Sequence, residues 1–268
     1  MPITPISSST FANKRFKRFD SYAFAARDVT VPLVVRELVR ASVALPIGFC
    51  KIQDAVLPIA IQGFGDHKNL FVSPDGRWLG RYIPSAYRGY PFSLGSDSQG
   101  RAFLCFDDSS GLLAEGEGEP FFTEDGKPSA AITDVLNFLT QVAANRQETA
   151  KVCALLVEYG LLEPWPIKVS TQAGGTAYTL EGLLRINESK FGQLGAKEVY
   201  TLHQAGALPV IYCQLLSMQH LPALAKLAEA HQLAEQDQAL PKNEAGELDL
   251  SFLADDTTIS FEDFNDSQ

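Results

Sequence analysis

The strongest constraint in this sequence is a change of period near Ser129. Before it, apolar runs are short and are cut by Pro, Gly or Asp. The stretches Pro46–Ile52, Leu57–Phe64, Asn69–Ser73, Tyr90–Leu94 and Arg101–Asp107 read as strands bounded by turns. Pro74-Asp75-Gly76 is a turn with a physical cause, because Pro pre-sets φ and Gly supplies positive φ. After Ser129 the spacing becomes helical: Ala131, Val135, Phe138, Leu139 and Val142 share one face. A second helix is expected from Asn145 to Tyr159, ended by Gly160. Further on we expect strands at Ile167–Ser170 and Thr179–Ile186, a helix over Lys197–Gln204 and a buried strand at Leu208–Leu215. A last helix starts at Pro222 and runs to about Leu233. An earlier short amphipathic helix is expected over Val34–Ala44, after Pro32. The prediction is an α+β fold: a strand-rich N-terminal half, as an antiparallel sheet or small barrel, packed with helices from the C-terminal half.

Charge divides the chain differently. The formal net charge is −10, from 22 basic and 32 acidic residues. Residues 235–268 hold ten of the acids, opposed by Lys242 alone, so the rest of the chain is close to neutral. Leu248, Leu250, Phe252, Leu253, Ile259, Phe261 and Phe264 are interleaved with those acids. A wholly solvated tail needs no such residues; acid–apolar alternation suits docking on a groove with a basic rim, in the body or on a partner. Residues 1–27 lean the other way and read as an irregular basic and aromatic arm. Pro2, Pro5 and the Ser7–Thr10 cluster discourage regular structure, while Phe11, Phe16, Phe19, Tyr22 and Phe24 can pack on the body. The expected organisation is an arm over 1–27, one domain over 28–234 and a flexible acidic tail over 235–268. No basic motif in the body points to nucleic acid.

The four cysteines, Cys50, Cys105, Cys153 and Cys213, lie far apart in apolar settings. They read as buried free thiols, not as a zinc site or a disulfide framework. The N-terminus lacks the pattern of a secretory signal, and the apolar zone Val29–Phe64 is broken by charges, so no membrane span is expected. The expected location is the cytoplasm. No phosphate-binding glycine loop, zinc-protease pattern or nucleophile elbow is present, and His67, His203, His220 and His231 form no ligand spacing. No metal and no cofactor is expected.

One stretch is unusual. Arg77–Phe92 holds five aromatic residues and three arginines in 16 positions. Rings offer stacking and cation–π contacts, and guanidinium groups pair with carboxylates. The candidate ligand- or partner-binding residues are Trp78, Arg81, Tyr82, Tyr87, Arg88 and Tyr90, with Asp107 as the nearest acidic candidate. The competing reading makes the rings core, pairs the arginines with acids, and makes Asp107-Asp108 a turn. A protein, peptide or sugar-like partner fits the first reading. An enzyme of unknown class, using Asp107 or Asp108 with Arg88 and a tyrosine, is the alternative.

The same stretch carries a resemblance. Asn69-Leu70-Phe71, Gly76-Arg77-Trp78, Tyr82-Ile83-Pro84 and Arg88-Gly89-Tyr90-Pro91-Phe92 follow, in order, a pattern that resembles the bacterial SapC-like family. Val31-Pro32-Leu33 and Pro46-Ile47-Gly48-Phe49 look like its upstream segments, and the likeness covers about 27–230. The family usually shows two adjacent arginines before the Tyr-Pro-Phe; here the second position is Gly89. The resemblance implies an accessory or binding role tied to the cell envelope or to peptide or metabolite uptake. A surface-layer structural role is the other implication. The resemblance brings no catalytic residues.

Overall fold

The computed structural model describes residues 3–65, 68–169 and 178–237. Both the acidic tail beyond Asp237 and His67 lie outside them. The first segments are β1 (Ile3–Pro5), α1 (Ser8–Phe11), β2 (Arg15–Phe16), β3 (Thr30–Pro32), α2 (Leu38–Ala41), β4 (Ile47–Ile52) and β5 (Ala55–Ile61). There follow α3 (Ser85–Arg88), β6 (Phe92–Ser96), β7 (Ala102–Asp107), β8 (Leu113–Ala114), β9 (Glu119–Pro120) and the long α4 (Ala130–Glu158). The remainder is β10 (Leu162–Pro164), β11 (Ile167–Val169), β12 (Tyr178–Leu180), β13 (Leu183–Ile186), α5 (Glu188–Gly192), α6 (Ala196–Gln204), α7 (Ala207–Ser217) and α8 (Leu221–Asp237). The fold is α+β: antiparallel sheets dominate the N-terminal half and helices the C-terminal half.

The principal sheet has the order β10-β13-β4-β5-β3, and all of its pairs are antiparallel. It packs against the second half of α4 and against α7 and α8, burying Ile47, Phe49, Ile59 and Ile61 with Leu156, Ile211 and Leu224. A second core is built mainly of phenylalanine. Phe11, Phe16, Phe92, Phe106 and Phe121 meet edge-on or tilted, under Ile132 of α4. Such ring pairs add roughly 0.5–1.5 kcal/mol beyond area burial. At 29 residues, α4 is about 44 Å long and reaches both cores.

The stretch read as an irregular arm is built into this architecture. β1 pairs with β7, β2 bridges β8 and β9, and Phe11 and Phe16 are buried in the phenylalanine core. Pro5 is tolerated because β1 lies at a sheet edge. Four further expectations are corrected. Leu208–Leu215 lies inside α7 and is not a strand; Ala207, Val210, Ile211, Gln214 and Ser217 are buried at helical spacing. A short apolar run does not separate a buried strand from a buried helix. The two helices expected around Asn145 are one: α4 runs unbroken through it, and Asn145 Nδ2 donates back to Gln141 O one turn earlier. Asn69–Ser73 forms no strand; only an antiparallel bridge links Val72 to Trp78. Thr179–Ile186 divides at Gly182 into β12 and β13, which join different sheets. The expected end of α4 is present as a Schellman cap: Gly160 N donates to Val157 O and Leu161 N to Leu156 O.

Buried polar groups tie the helices to the sheet. Ser217 Oγ accepts from Ile47 N at 2.9 Å, and Gln214 Oε1 accepts from Ile186 N at 3.0 Å. Thr149 Oγ1 on α4 accepts from Val35 N at 2.8 Å. That bond fixes the helical turn Val35–Glu37, which carries Glu37 into the region described next.

Candidate functional site

The aromatic stretch is organised by a residue that the sequence reading passed over. Glu37 is 6% exposed, and both of its carboxyl oxygens accept two bonds. Oε1 accepts from Val34 N at 3.0 Å and from Ser85 Oγ at 2.8 Å; Oε2 accepts from Tyr82 Oη and from Ser85 N, each at 2.8 Å. The available signal was its place three residues after Val34, where a glutamate can reach back to an unpaired helix-start N–H. Glu37 thereby anchors Tyr82 and the start of α3 to the α2 segment.

Around this anchor the segment folds on itself. Trp78 Nε1 donates to Tyr82 O at 3.0 Å, and the Trp78 ring stacks on Phe71 at 5.8 Å. Arg88 donates through Nε and Nη2 to Ile83 O, at 3.0 and 2.7 Å, and its guanidinium lies 5.2 Å from the Tyr82 ring centre. Tyr87 is buried, and its hydroxyl donates to Gln62 Oε1 at 2.7 Å. Burial first, and the neighbouring Glu37 second, push the Tyr82 hydroxyl well above the ordinary tyrosine range. Burial and then Asp28 do the same for Tyr87, while burial raises Asp28 itself.

The arm closes over the other side. Tyr22 N donates to Gly76 O at 2.7 Å, Asn69 Nδ2 donates to Ala25 O at 3.1 Å, and Asn69 N donates to Ala26 O at 2.8 Å. Gly76 has φ +83°, a backbone conformation that favours glycine, and a Cβ there would crowd the Ser21 side chain. Phe24 stacks face to face on Tyr90 at 3.8 Å and 8°, and Tyr22 lies 5.5 Å from Trp78. Phe19 touches Tyr22, Phe24 and Tyr90. The ring faces read as open platforms are therefore covered by the chain's own groups: Phe24 on Tyr90, Phe71 on Trp78 and Arg88 over Tyr82.

Of the seven candidate residues, Trp78, Tyr82, Tyr87, Arg88 and Tyr90 come together in one cluster. Asp107 lies beside it: its N–H donates to Pro91 O at 3.0 Å, and the Tyr90 hydroxyl is raised by burial and then by Asp107. Asp107 Oδ1 accepts from Ser109 N at 2.9 Å and Ser109 Oγ at 2.6 Å, a turn-forming arrangement. No ion pair joins it to Arg88 among the described residues. Arg81 is exposed and has no hydrogen-bond or ion-pair partner among the described residues. Gly89 is buried, and a Cβ there would lie 2.6 Å from Leu139 Cδ2 of α4, so an arginine beside Arg88 requires Leu139 to move. The four cysteines are free. Burial raises all four thiols, Cys153 to about 12, which suppresses the reactive thiolate.

A model of the SapC family matches residues 6–224. The chain belongs to the SapC family. The match begins inside the arm, in keeping with a covering segment that shares both cores. Asn69, Trp78 and Tyr82, which carry the resemblance, are residues that hold the cluster and the arm together. No curated relative and no solved structure matches the chain. No helix among the described residues is long and apolar enough to cross a membrane.

Proposed function

We propose that this SapC-family chain is a cytoplasmic, non-enzymatic binding or accessory protein that recognises a carboxylate-bearing peptide or sugar-like ligand at the Arg81–Arg88 rim. The observation that carries the reading is the state of the two guanidinium groups. Two bonds to Ile83 O and the Tyr82 ring orient Arg88 on the exposed side, while Arg81 is exposed and has no polar partner among the described residues. A guanidinium held in place before the ligand arrives loses less freedom on binding. The aromatic residues serve as the rigid wall behind that rim, since their faces are already covered.

The test is a thermal-shift and calorimetric screen of full-length protein against acidic peptides and uronic-acid oligosaccharides. Arg81→Ala is expected to abolish any binding found while the melting temperature stays near wild type; Arg88→Ala, which also frees Ile83 O and the Tyr82 ring, is expected to abolish it with some loss of stability. Arg88→Lys, which keeps charge but not the fork to Ile83 O, should bind at least about tenfold more weakly. Binding that survives both alanine variants defeats the proposal, as does the absence of binding by every probe.

A further inference from the structure

Seven large apolar side chains are conspicuously exposed among the described residues, and four of them flank one seam. Val39 and Val43, four residues apart, are 64% and 70% exposed; Tyr212 and Leu216, also four apart on α7, are 52% and 64% exposed. The seam is the packing of α2 against α7. The Cys213 side chain lies beside Ser42, and His220 Nε2 is 3.0 Å from Ser42 O. Each exposed pair therefore sits within about one turn of that contact. The charges that α2, the turn before it and α7 themselves present are basic. Arg36 and Arg40 are exposed, Glu37 is turned inward, and α7 has no charged residue. Arg40 has no ion pair among the described residues, and Arg36 reaches Glu148 only at 3.9 Å.

The chain holds a segment of complementary chemistry. Beyond Asp237 come Glu244, Glu247, Asp249, Asp255, Asp256, Glu262, Asp263 and Asp266 against Lys242, with seven large apolar residues between Leu248 and Phe264. Reach is sufficient. α8 begins at Leu221, just past His220 at the seam, and its 17 residues carry the chain about 25 Å away. The eleven residues from Asp237 to Leu248 can span up to about 36 Å, enough to return.

We propose that residues 248–264 dock in cis on the α2–α7 seam, with Leu and Phe side chains against Val39, Val43, Tyr212 and Leu216 and acids against Arg36 and Arg40. Tethering supplies an effective concentration of about a millimolar, so even a segment with an intrinsic Kd of about 0.1 mM is docked roughly nine-tenths of the time.

Hydrogen exchange of the full-length chain tests this. Amides of 248–264 should exchange about tenfold slower than in a synthetic peptide of the same sequence. The slowing should vanish in the full-length double variant Val43→Ser/Leu216→Ser, and should shrink in Arg40→Glu and in about 1 M salt. Unchanged protection around Cys153 in α4 shows that the body is intact; should the double variant lose it, Arg40→Glu alone decides. Exchange at the peptide rate in the wild-type chain overturns the proposal. So does slowing that neither variant alters, which places the tail elsewhere, or slowing that grows with protein concentration, which makes a second copy the docking partner.

Discussion

Replacing Glu37 by Gln probes the anchor of the aromatic cluster with almost no change of shape. The carboxylate has two acceptor oxygens, each taking one backbone N–H and one hydroxyl. An amide keeps one acceptor and presents an NH2 group at the other position. If the NH2 replaces Oε2, Ser85 N–H loses its acceptor and the Tyr82 hydroxyl must reverse. If it replaces Oε1, Val34 N–H is stranded and the Ser85 hydroxyl must reverse. Either orientation leaves one buried N–H unsatisfied and makes the three remaining bonds neutral, partly offset by no longer holding a buried charge. A stranded buried donor costs about 1–3 kcal/mol, and a bond to a charged acceptor is worth about 1.5–3 kcal/mol. Part of the second term is recovered by the reversed hydroxyl, so the expected loss is about 2–4 kcal/mol. For a chain of this size that corresponds to a fall of about 5–15 °C in Tm. Equilibrium unfolding in urea, followed through Trp78 and Trp165 fluorescence, measures it. Combining Glu37→Gln with Tyr82→Phe should cost less than the sum of the two, because both remove the same bond. A loss below about 0.5 kcal/mol, or strict additivity with Tyr82→Phe, would refute the argument that Glu37 is a dry, fully bonded anchor.

Further outcomes follow from the same contacts. Of the eight tyrosines, Tyr82 and Tyr87 should resist ionisation in an alkaline absorbance titration, and Tyr82→Phe and Tyr87→Phe should each remove one delayed group. Because their folded pKa values are raised, the unfolded chain releases these protons first, so stability falls as pH rises above about 10. Asp28 is also raised by burial, so its contribution to stability declines as pH climbs from about 4; Asp28→Asn should flatten that decline in urea midpoints measured across pH. Phe24→Ala removes the ring stacked on Tyr90 and should cost about 2–3 kcal/mol, while limited proteolysis begins to cut between Phe19 and Arg27. Gly160→Ala forces a Cβ into left-handed backbone at φ +62° and should cost about 1 kcal/mol in urea unfolding.

The parts of the fold that the sequence announced are those where local chemistry and tertiary context agree. The β4–β5 and β6–β7 hairpins have apolar runs between turn residues, and α4 has one apolar stripe and a glycine cap. The failures come from contacts distant in sequence. Residues 3–16 have no regular pattern of their own; β1 and β2 form because β7, β8 and β9 offer edges to pair with, and the phenylalanine core takes Phe11 of α1 and Phe16. Leu208–Leu215 is apolar throughout, so period could not choose between strand and helix. The deciding residues were Gln214 and Ser217, whose side chains serve the backbone ends of β13 and β4 only from a helix.

For the candidate site, the composition of Arg77–Phe92 was legible but the occupancy of its surfaces was not. Stacking capacity is a property of a ring face, and a face used by Phe24, Phe71 or Arg88 is not available to a ligand. Those partners come from up to about 66 residues away along the chain, a distance no local pattern reports. The same geometry separates the two arginines by role. Arg88 is tied to the cluster through Ile83 O and Tyr82, so its removal tests architecture as well as recognition. Arg81 contacts no polar partner among the described residues, so its removal should leave the anchor and the stacked rings unchanged. A binding defect in Arg81→Ala at wild-type stability therefore separates recognition from folding, which no substitution of the aromatic residues can do.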